Sequence, residues 1–204
     1  MDPSSFTADV TNPWFPLEPG TTYVFSGTKD GKQAMDVFAP SRRTVTIDGV
    51  LTRAVNDRGF LDGVLEEQTT DYYAQDSCGN VWYFGEDTAT LDEHGHVEST
   101  EGSFRAGVGG AEPGVYIEAN PQIGAVFRQE WSPGQAEDRY RALSTTGGRT
   151  VRYGSFTATL RTEEKSDLEP EVTDNKYYAR GVGQIEELAV TGDTERLELV
   201  AVLK

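Results

Sequence analysis

A chain of 204 residues with 36% hydrophobic and 10% aromatic residues can bury a core built on a few large rings, and no linker divides it, so one domain over residues 1–204 is expected. Its 34 acidic against 18 basic residues give a formal charge of -16, a field that repels nucleic acid and anionic membrane surfaces, so neither is expected as a partner. The lone Cys78 excludes an internal disulfide and a multi-cysteine metal site, and no segment has the length and apolarity of a membrane-spanning helix, so no membrane insertion is expected.

The opening MDPSSFTADV lacks the basic and apolar regions of a signal peptide, which leaves a cytoplasmic protein or an exported one whose leader is outside this sequence. In TNPWFPLEPG, Pro13, Pro16 and Pro19 forbid a regular strand, while Trp14, Phe15 and Leu17 favour burial. Residues 1–20 are therefore expected to form a proline-rich plug or lid. From there a two-residue period dominates: TTYVFSG turns through KDGK into AMDVFA, SRRTVTID turns at Asp48-Gly49 into VLTRAVND, and GFLDGVLEEQ turns at Asp62-Gly63 into VLEEQTTDYYAQD. The turn SCGN leads into VWYFGEDT, whose alternation places Trp82, Phe84 and Glu86 on one face and Val81, Tyr83 and Gly85 on the other. After the turn EHGH comes VESTEGSFRAG.

The stretch AGVGGAEPGVYIEANPQIG, with Val115, Tyr116 and Ile117, is rich in Gly and Pro and is expected to be a mobile loop over an opening. In the second half GAVFRQEW, TVRYGSFTATLRTE, NKYYARG, GQIEELAVTG and TERLELVAVL read as strands, the last with Leu197, Leu199, Ala201 and Leu203 on one face. Only AEDRYRAL, with Ala136, Tyr140 and Leu143 at helical spacing, suggests a short helix. Ten or more short strands joined by glycine turns, with at most one short helix, predict an all-β fold: an antiparallel β-barrel or half-barrel that closes to remove its edges.

The phrases NPWFPLEPGTTYVFSG, DYYAQDSCGNVWYFGEDT and NKYYARGVGQIEE resemble a family of largely uncharacterised bacterial β proteins, found in actinobacteria among others. The last phrase is also similar in style to envelope half-barrel and lipocalin-like proteins. The resemblance implies a calycin-like or half-barrel fold around an apolar cavity, and it carries over no catalytic residue.

His94 and His96 in DEHGHVE have Asp92, Glu93 and Glu98 nearby, but a glycine separates them in an acidic turn and the chain has no third histidine. No metal site is expected. No GxSxG elbow exists for a Ser-His-Asp triad, AGVGGAEPG lacks the lysine and helix of a phosphate loop, and no acidic run has calcium-loop spacing. No cofactor is expected.

Carboxylates beside aromatics are the remaining chemistry. If the Trp82 and Phe84 face is interior, desolvation would raise the Glu86 pKa and prepare it for proton transfer near neutral pH. Arg128 and Glu130 share a face of AVFRQEW opposite Phe127 and Trp131; Tyr72 and Tyr73 beside Asp71, and Tyr177 and Tyr178 beside Lys176, add phenols able to orient a polar ligand. The bland reading of each is a half-solvated strand, a cross-strand ion pair or a packed ring.

The first function expected is binding of a small, mostly apolar molecule in an aromatic-lined cavity, with Trp14, Tyr73, Trp82, Phe84, Tyr116, Arg128, Trp131 and Tyr178 as contacts and Trp14 and the Tyr116 loop covering the mouth. The alternative is a cofactor-independent cyclase, isomerase or lyase, with Glu86 or Glu130 moving a proton and Tyr73 or Arg128 stabilising negative charge. A third reading is a surface or adaptor domain with no pocket.

Overall fold

Three Asp-Gly pairs organise the first half of the molecule. In Asp30-Gly31, Asp48-Gly49 and Asp62-Gly63 both residues take positive φ: 50° and 79°, 47° and 79°, 49° and 83°. This is the type I′ hairpin geometry, whose twist matches the strands it joins, and Asp and Gly reach it at low cost. The computed structural model describes residues 1–192 and 194–204.

In chain order the strands are β1 (Phe6–Thr7), β2 (Thr22–Lys29), β3 (Lys32–Ile47), β4 (Val50–Leu61), β5 (Val64–Asp76), β6 (Val81–Leu91), β7 (Val97–Ser99) and β8 (Phe104–Arg105). They continue as β9 (Glu112–Ile117), β10 (Val126–Arg128), β11 (Glu130–Trp131), β12 (Asp138–Val151), β13 (Gly154–Ser166), β14 (Thr173–Ala179), β15 (Gly183–Thr191) and β16 (Glu195–Leu203). The sheet runs β10-β12-β13-β14-β15-β16-β2-β3-β4-β5-β6-β9-β11, with β1 on β5 and with β7 and β8 on β6. The two ends of that order are one stretch of chain: β10 pairs antiparallel with β12, β11 pairs antiparallel with β9, and only Gln129 separates them. Its backbone N–H donates to Asp138 O at 2.8 Å, so the sheet curls into a nearly closed antiparallel barrel.

Four local expectations are corrected. AEDRYRAL is not helical; Tyr140 and Ala142 point in and Arg139 and Arg141 point out along β12, a two-residue period held by ion pairs from Arg139 to Asp167 and from Arg141 to Glu163 at 2.7 Å. The expected loop over the opening contains β9, seated between β6 and β11. A Cβ on Gly114 would lie 2.3 Å from Arg128 O, so glycine is what lets these backbones approach. TVRYGSFTATLRTE folds at Arg152-Tyr153 into the hairpin joining β12 and β13. In β16 a bulge between Leu199 and Ala201 shifts the phase, so Leu197 and Leu199 are buried but Leu203 is 57% exposed.

The proline-rich N-terminal segment lies over the interior. Val10, Trp14, Phe15 and Leu17 are all buried, and Asn12 fixes the bend by accepting the Trp14 N–H at 2.8 Å and donating to Gly79 O at 2.8 Å. Phe15 meets the rings of Phe38, Tyr73 and Tyr116 at centroid distances of 5.7, 5.3 and 4.7 Å. A separate cluster of Ile47, Val50, Ala54, Tyr72, Ala74 and Phe84 packs on the other face of β4, β5 and β6, covered by Phe6 of β1.

Candidate functional site

Inside the barrel lies a cavity of about 250 Å³. Part of its wall is aromatic: Phe15 from the N-terminal segment, Phe38 from β3, Tyr73 from β5, Tyr83 from β6 and Tyr116 from β9. The rest is acidic. Around the barrel successive strands each turn one carboxyl inward: Asp36 from β3, Asp57 from β4, Asp71 from β5 and Glu86 from β6, continued by Glu130 from β11, Asp138 from β12, Glu164 from β13 and Glu187 from β15. Lys176 of β14 completes the ring, and every member of it except Asp71 and Glu130 keeps partial access to water.

Glu86 reaches this ring by a bulge. Tyr73 pairs with Tyr83 and Asp71 with Glu86, so β6 spends one residue more than β5 across that interval. Gly85 takes φ 132°, and a Cβ there would lie 2.3 Å from Phe104 O, which only glycine avoids. The extra residue reverses the alternation. Glu86 therefore joins Tyr83 on the inner face, while Trp82 and Phe84 belong to the outer cluster.

Lys176 is held by Glu164 at 2.9 Å and by Glu187 at 3.8 Å; burial works against its charge, but these carboxylates keep it protonated well above the ordinary lysine range. Gln184 also donates to Glu187 at 3.1 Å, and burial with the Glu164 charge overcomes Lys176 to bring the Glu187 pKa to about 7. Across the cavity the Tyr83 hydroxyl donates to Asp71 at 2.6 Å and lies 3.0 Å from Glu86 Oε2. Burial, then the neighbouring carboxylates, pushes Asp71 well above the carboxylate range, and burial brings Glu86 to about 7 against the help of the Tyr83 hydroxyl. Burial raises the Tyr73 and Tyr83 phenols well above their usual value, with Asp71 adding to the effect, so both remain protonated donors.

Asp36 and Asp57 form an acid pair. Burial and the Asp57 charge raise Asp36 well above its usual value; burial also raises Asp57, while a hydrogen bond from Asp36 stabilises its ionised form. Asp36 Oδ1 is buried with no hydrogen-bond partner. Glu130 is 9% exposed, no side chain among the described residues donates to its carboxyl, and burial, then Asp138, Glu86 and Asp71, pushes its pKa well above the usual range. Burial likewise raises Asp138.

Of the residues singled out in the sequence, the structure brings Tyr73, Glu86, Tyr116 and Glu130 to the cavity wall. Trp14 is buried beside it under the Arg180 guanidinium, 4.1 Å from its ring centroid, and leaves the wall to Phe15. Tyr178 lies behind the wall, its hydroxyl donating to Glu164 at 3.4 Å. Trp82 and Phe84 face away, and the Trp82 indole donates to Asp76 at 2.9 Å. Arg128 does not share the Glu130 face: it is exposed and stacks on Trp131 at 4.5 Å, because the chain passes from one sheet edge to the other at Gln129. His94 and His96 lie in an exposed turn where Asp92 Oδ1 accepts both backbone N–H groups, at 2.9 and 2.8 Å.

Asp36, Asp57, Asp138, Glu164 and Glu187 were not singled out in the sequence. Each sits in an alternating strand, where an inward carboxylate and a solvated one read the same. Their one common signal is recurrence: an acidic residue at matching depth in strand after strand.

No protein-family model matches the chain, and no curated protein matches it. A solved structure described as an exported protein with a YmcC-like fold, from Bacteroides fragilis, is similar over 94% of this chain and 99% of its own, at 13% identity and a TM-score of 0.52. Another, described as a lipoprotein from Parabacteroides distasonis, is similar over 93% and 97%, at 10% identity and a TM-score of 0.48. At such identity the first likeness is one of fold. It matches the nearly closed barrel seen here, and the actinobacterial resemblance read from short phrases has no family match beside it.

Proposed function

We propose that the protein binds a small organic molecule inside the barrel. The observation that carries this reading is a cavity of about 250 Å³ whose wall combines stacked aromatic rings with Glu130, a buried carboxyl that no side chain of the described residues satisfies. Buried polar groups are nearly always hydrogen-bonded, and an unpaired one costs on the order of 1–3 kcal/mol, a cost that binding sites keep in exchange for recognition. The volume is near the lower end of the roughly 300–1,000 Å³ typical of ligand pockets, which favours a compact ligand. The rings of Phe15, Phe38, Tyr73 and Tyr116 would hold its apolar body and the acidic ring its polar end. The occupant is accordingly less apolar than the aromatic sequence alone suggests.

One observation favours a second reading, an enzyme that needs no cofactor: Glu86 titrates at about 7 beside the Tyr83 hydroxyl, a pairing suited to moving a proton at neutral pH. Native mass spectrometry of protein purified from its own host, followed by organic extraction, tests the binding reading. A defined small-molecule adduct is the expected result, and a clean polypeptide mass would sink it. The enzyme reading requires Glu86→Gln to abolish conversion of that molecule while leaving its affinity nearly intact.

A further inference from the structure

On the cavity wall Asp36 Oδ1 is a buried acceptor without a donor, and the Glu130 carboxyl, 9% exposed, receives no side-chain hydrogen bond among the described residues; the other unpaired buried atom, Trp14 Nε1, is a donor set behind the wall. The one cation of the ring, Lys176, is already taken by Glu164 and Glu187, and the Tyr83 proton is committed to Asp71. What the wall lacks is therefore a donor carrying positive charge. A bare metal ion does not supply it, since no group of three or more His, Cys, Asp or Glu among the described residues is gathered closely enough to hold one. The acceptors are spread around the barrel and interleaved with aromatic faces, which attract organic cations through the ring quadrupole.

We propose that the ligand is a small organic ammonium ion, its nitrogen taken by Glu130 in the field of the neighbouring acids, and its body laid on the rings of Phe15, Tyr73 and Tyr116. This rests on the binding reading above. A cavity of about 250 Å³ holds the liquid volume of about eight waters, which sets the size as one charged head on a short chain or single ring. A neutral guest would leave the protons of the acids in place and draw no charge attraction from them, and an anionic one would meet eight acids among the described residues.

The same geometry couples binding to protons. Glu130 is faced by Asp71 of β5, Tyr83 and Glu86 of β6, Asp138 of β12 and, as the one cation, Lys176 of β14. With that surplus of acid, protons neutralise the wall until a cation replaces them. An ammonium ion lowers the pKa of each carboxyl it touches, so binding releases protons and strengthens as pH rises through about 7, where Glu86 titrates.

Calorimetric titration of the full chain with benzylamine, benzyl alcohol and benzoate, at about pH 6 and about pH 8, tests this. The expected result is benzylamine binding at least about tenfold more tightly than benzyl alcohol, no benzoate binding, and benzylamine affinity gaining about tenfold between the two pH values for one proton released. Glu130→Gln, checked for an unchanged fold by circular dichroism, should cost about tenfold for benzylamine and clearly less for benzyl alcohol; Asp138→Asn should act in the same direction. Equal affinity for the amine and the alcohol, or amine binding indifferent to pH, would overturn the ammonium assignment and leave the cavity reading standing. Binding of none of the three would remove both.

Discussion

Two glutamates in this protein are almost equally buried and differ in what surrounds them. Glu186 of β15 is 0% exposed on the opposite face of the strand from the cavity residue Glu187, and its two oxygens are taken by Arg149 and by Arg196, the latter at 3.0 Å. Arg149 in turn lies over the Tyr177 ring at 4.2 Å. Glu130 of β11 is 9% exposed, faces the cavity and has only other acids and one distant lysine in its field. The chain supplies everything the first carboxylate needs, which marks it as structure. The second is left for something outside the chain, and burial without a partner, rather than burial alone, is what distinguishes a candidate site.

The largest expected effect is at the bulge that gives Glu130 its neighbour. Gly85→Ala must force a left-handed φ and a clash with Phe104 O, and should cost about 2–4 kcal/mol in a denaturant titration while turning Glu86 off the cavity wall. Next comes Glu186→Ala, which strands two guanidinium groups. Losing one partner of a fully buried pair costs about 3–5 kcal/mol, and because Arg149 and Arg196 are 28% and 52% exposed, about 2–3 kcal/mol is expected. A loss within about 0.5 kcal/mol would remove the contrast drawn here.

The cavity side should show the reverse sign. Glu86 and Glu187 have folded pKa values of about 7 against ordinary values of 4.5, so between those limits the folded state binds more protons than the unfolded one, and stability falls as pH rises from about 4.5 to about 7. Melting temperature measured across that window should decline in the native protein. Glu130→Gln should raise stability at neutral pH by about 1 kcal/mol, the usual direction when a strained functional group is relieved. The smallest effect belongs to β16: Leu203→Ser should change stability by less than about 0.5 kcal/mol, several times less than truncation of the buried Leu199 to Ala. Equal costs would mean that the bulge between Leu199 and Ala201 does not shift the phase.

The barrel class was legible from the two-residue period and from the Asp-Gly turns, because each of those signals is local. Tyr73, Glu86, Tyr116 and Glu130 of the cavity wall were legible as well, and Glu86 was picked for a reason the fold reverses. It was assigned to the face of Trp82 and Phe84, and it is the phase change at Gly85 that puts it beside Tyr83. The bulge is set by the register with β5, and the close approach that requires Gly85 comes from Phe104–Arg105, more than a dozen residues further along the chain. The acidic ring was hidden for a related reason: Asp36, Asp57, Asp138 and Glu187 come from four separate strands, and only the curl of the sheet makes them neighbours. AEDRYRAL was misread because Tyr140 and Leu143 fit a helical spacing as well as Tyr140 and Ala142 fit a strand, and the neighbouring β13 decides between them.

The way this barrel shuts has a mechanical consequence. The seam between β9 and β12 is stitched by one six-residue run, Val126 to Trp131, with three ladder positions on β12 and two on β9. Most neighbouring strands share longer ladders, such as the seven uninterrupted positions of β2 and β3, while β15 with β16 and β6 with β9 share three each. A tube whose ends are joined through so short a run is a split ring with a clasp, and the clasp carries Glu130. Local opening there exposes the interior without unzipping the hairpins, so the amides of this run should exchange with solvent earliest among the barrel strands, and a guest that binds Glu130 should slow them.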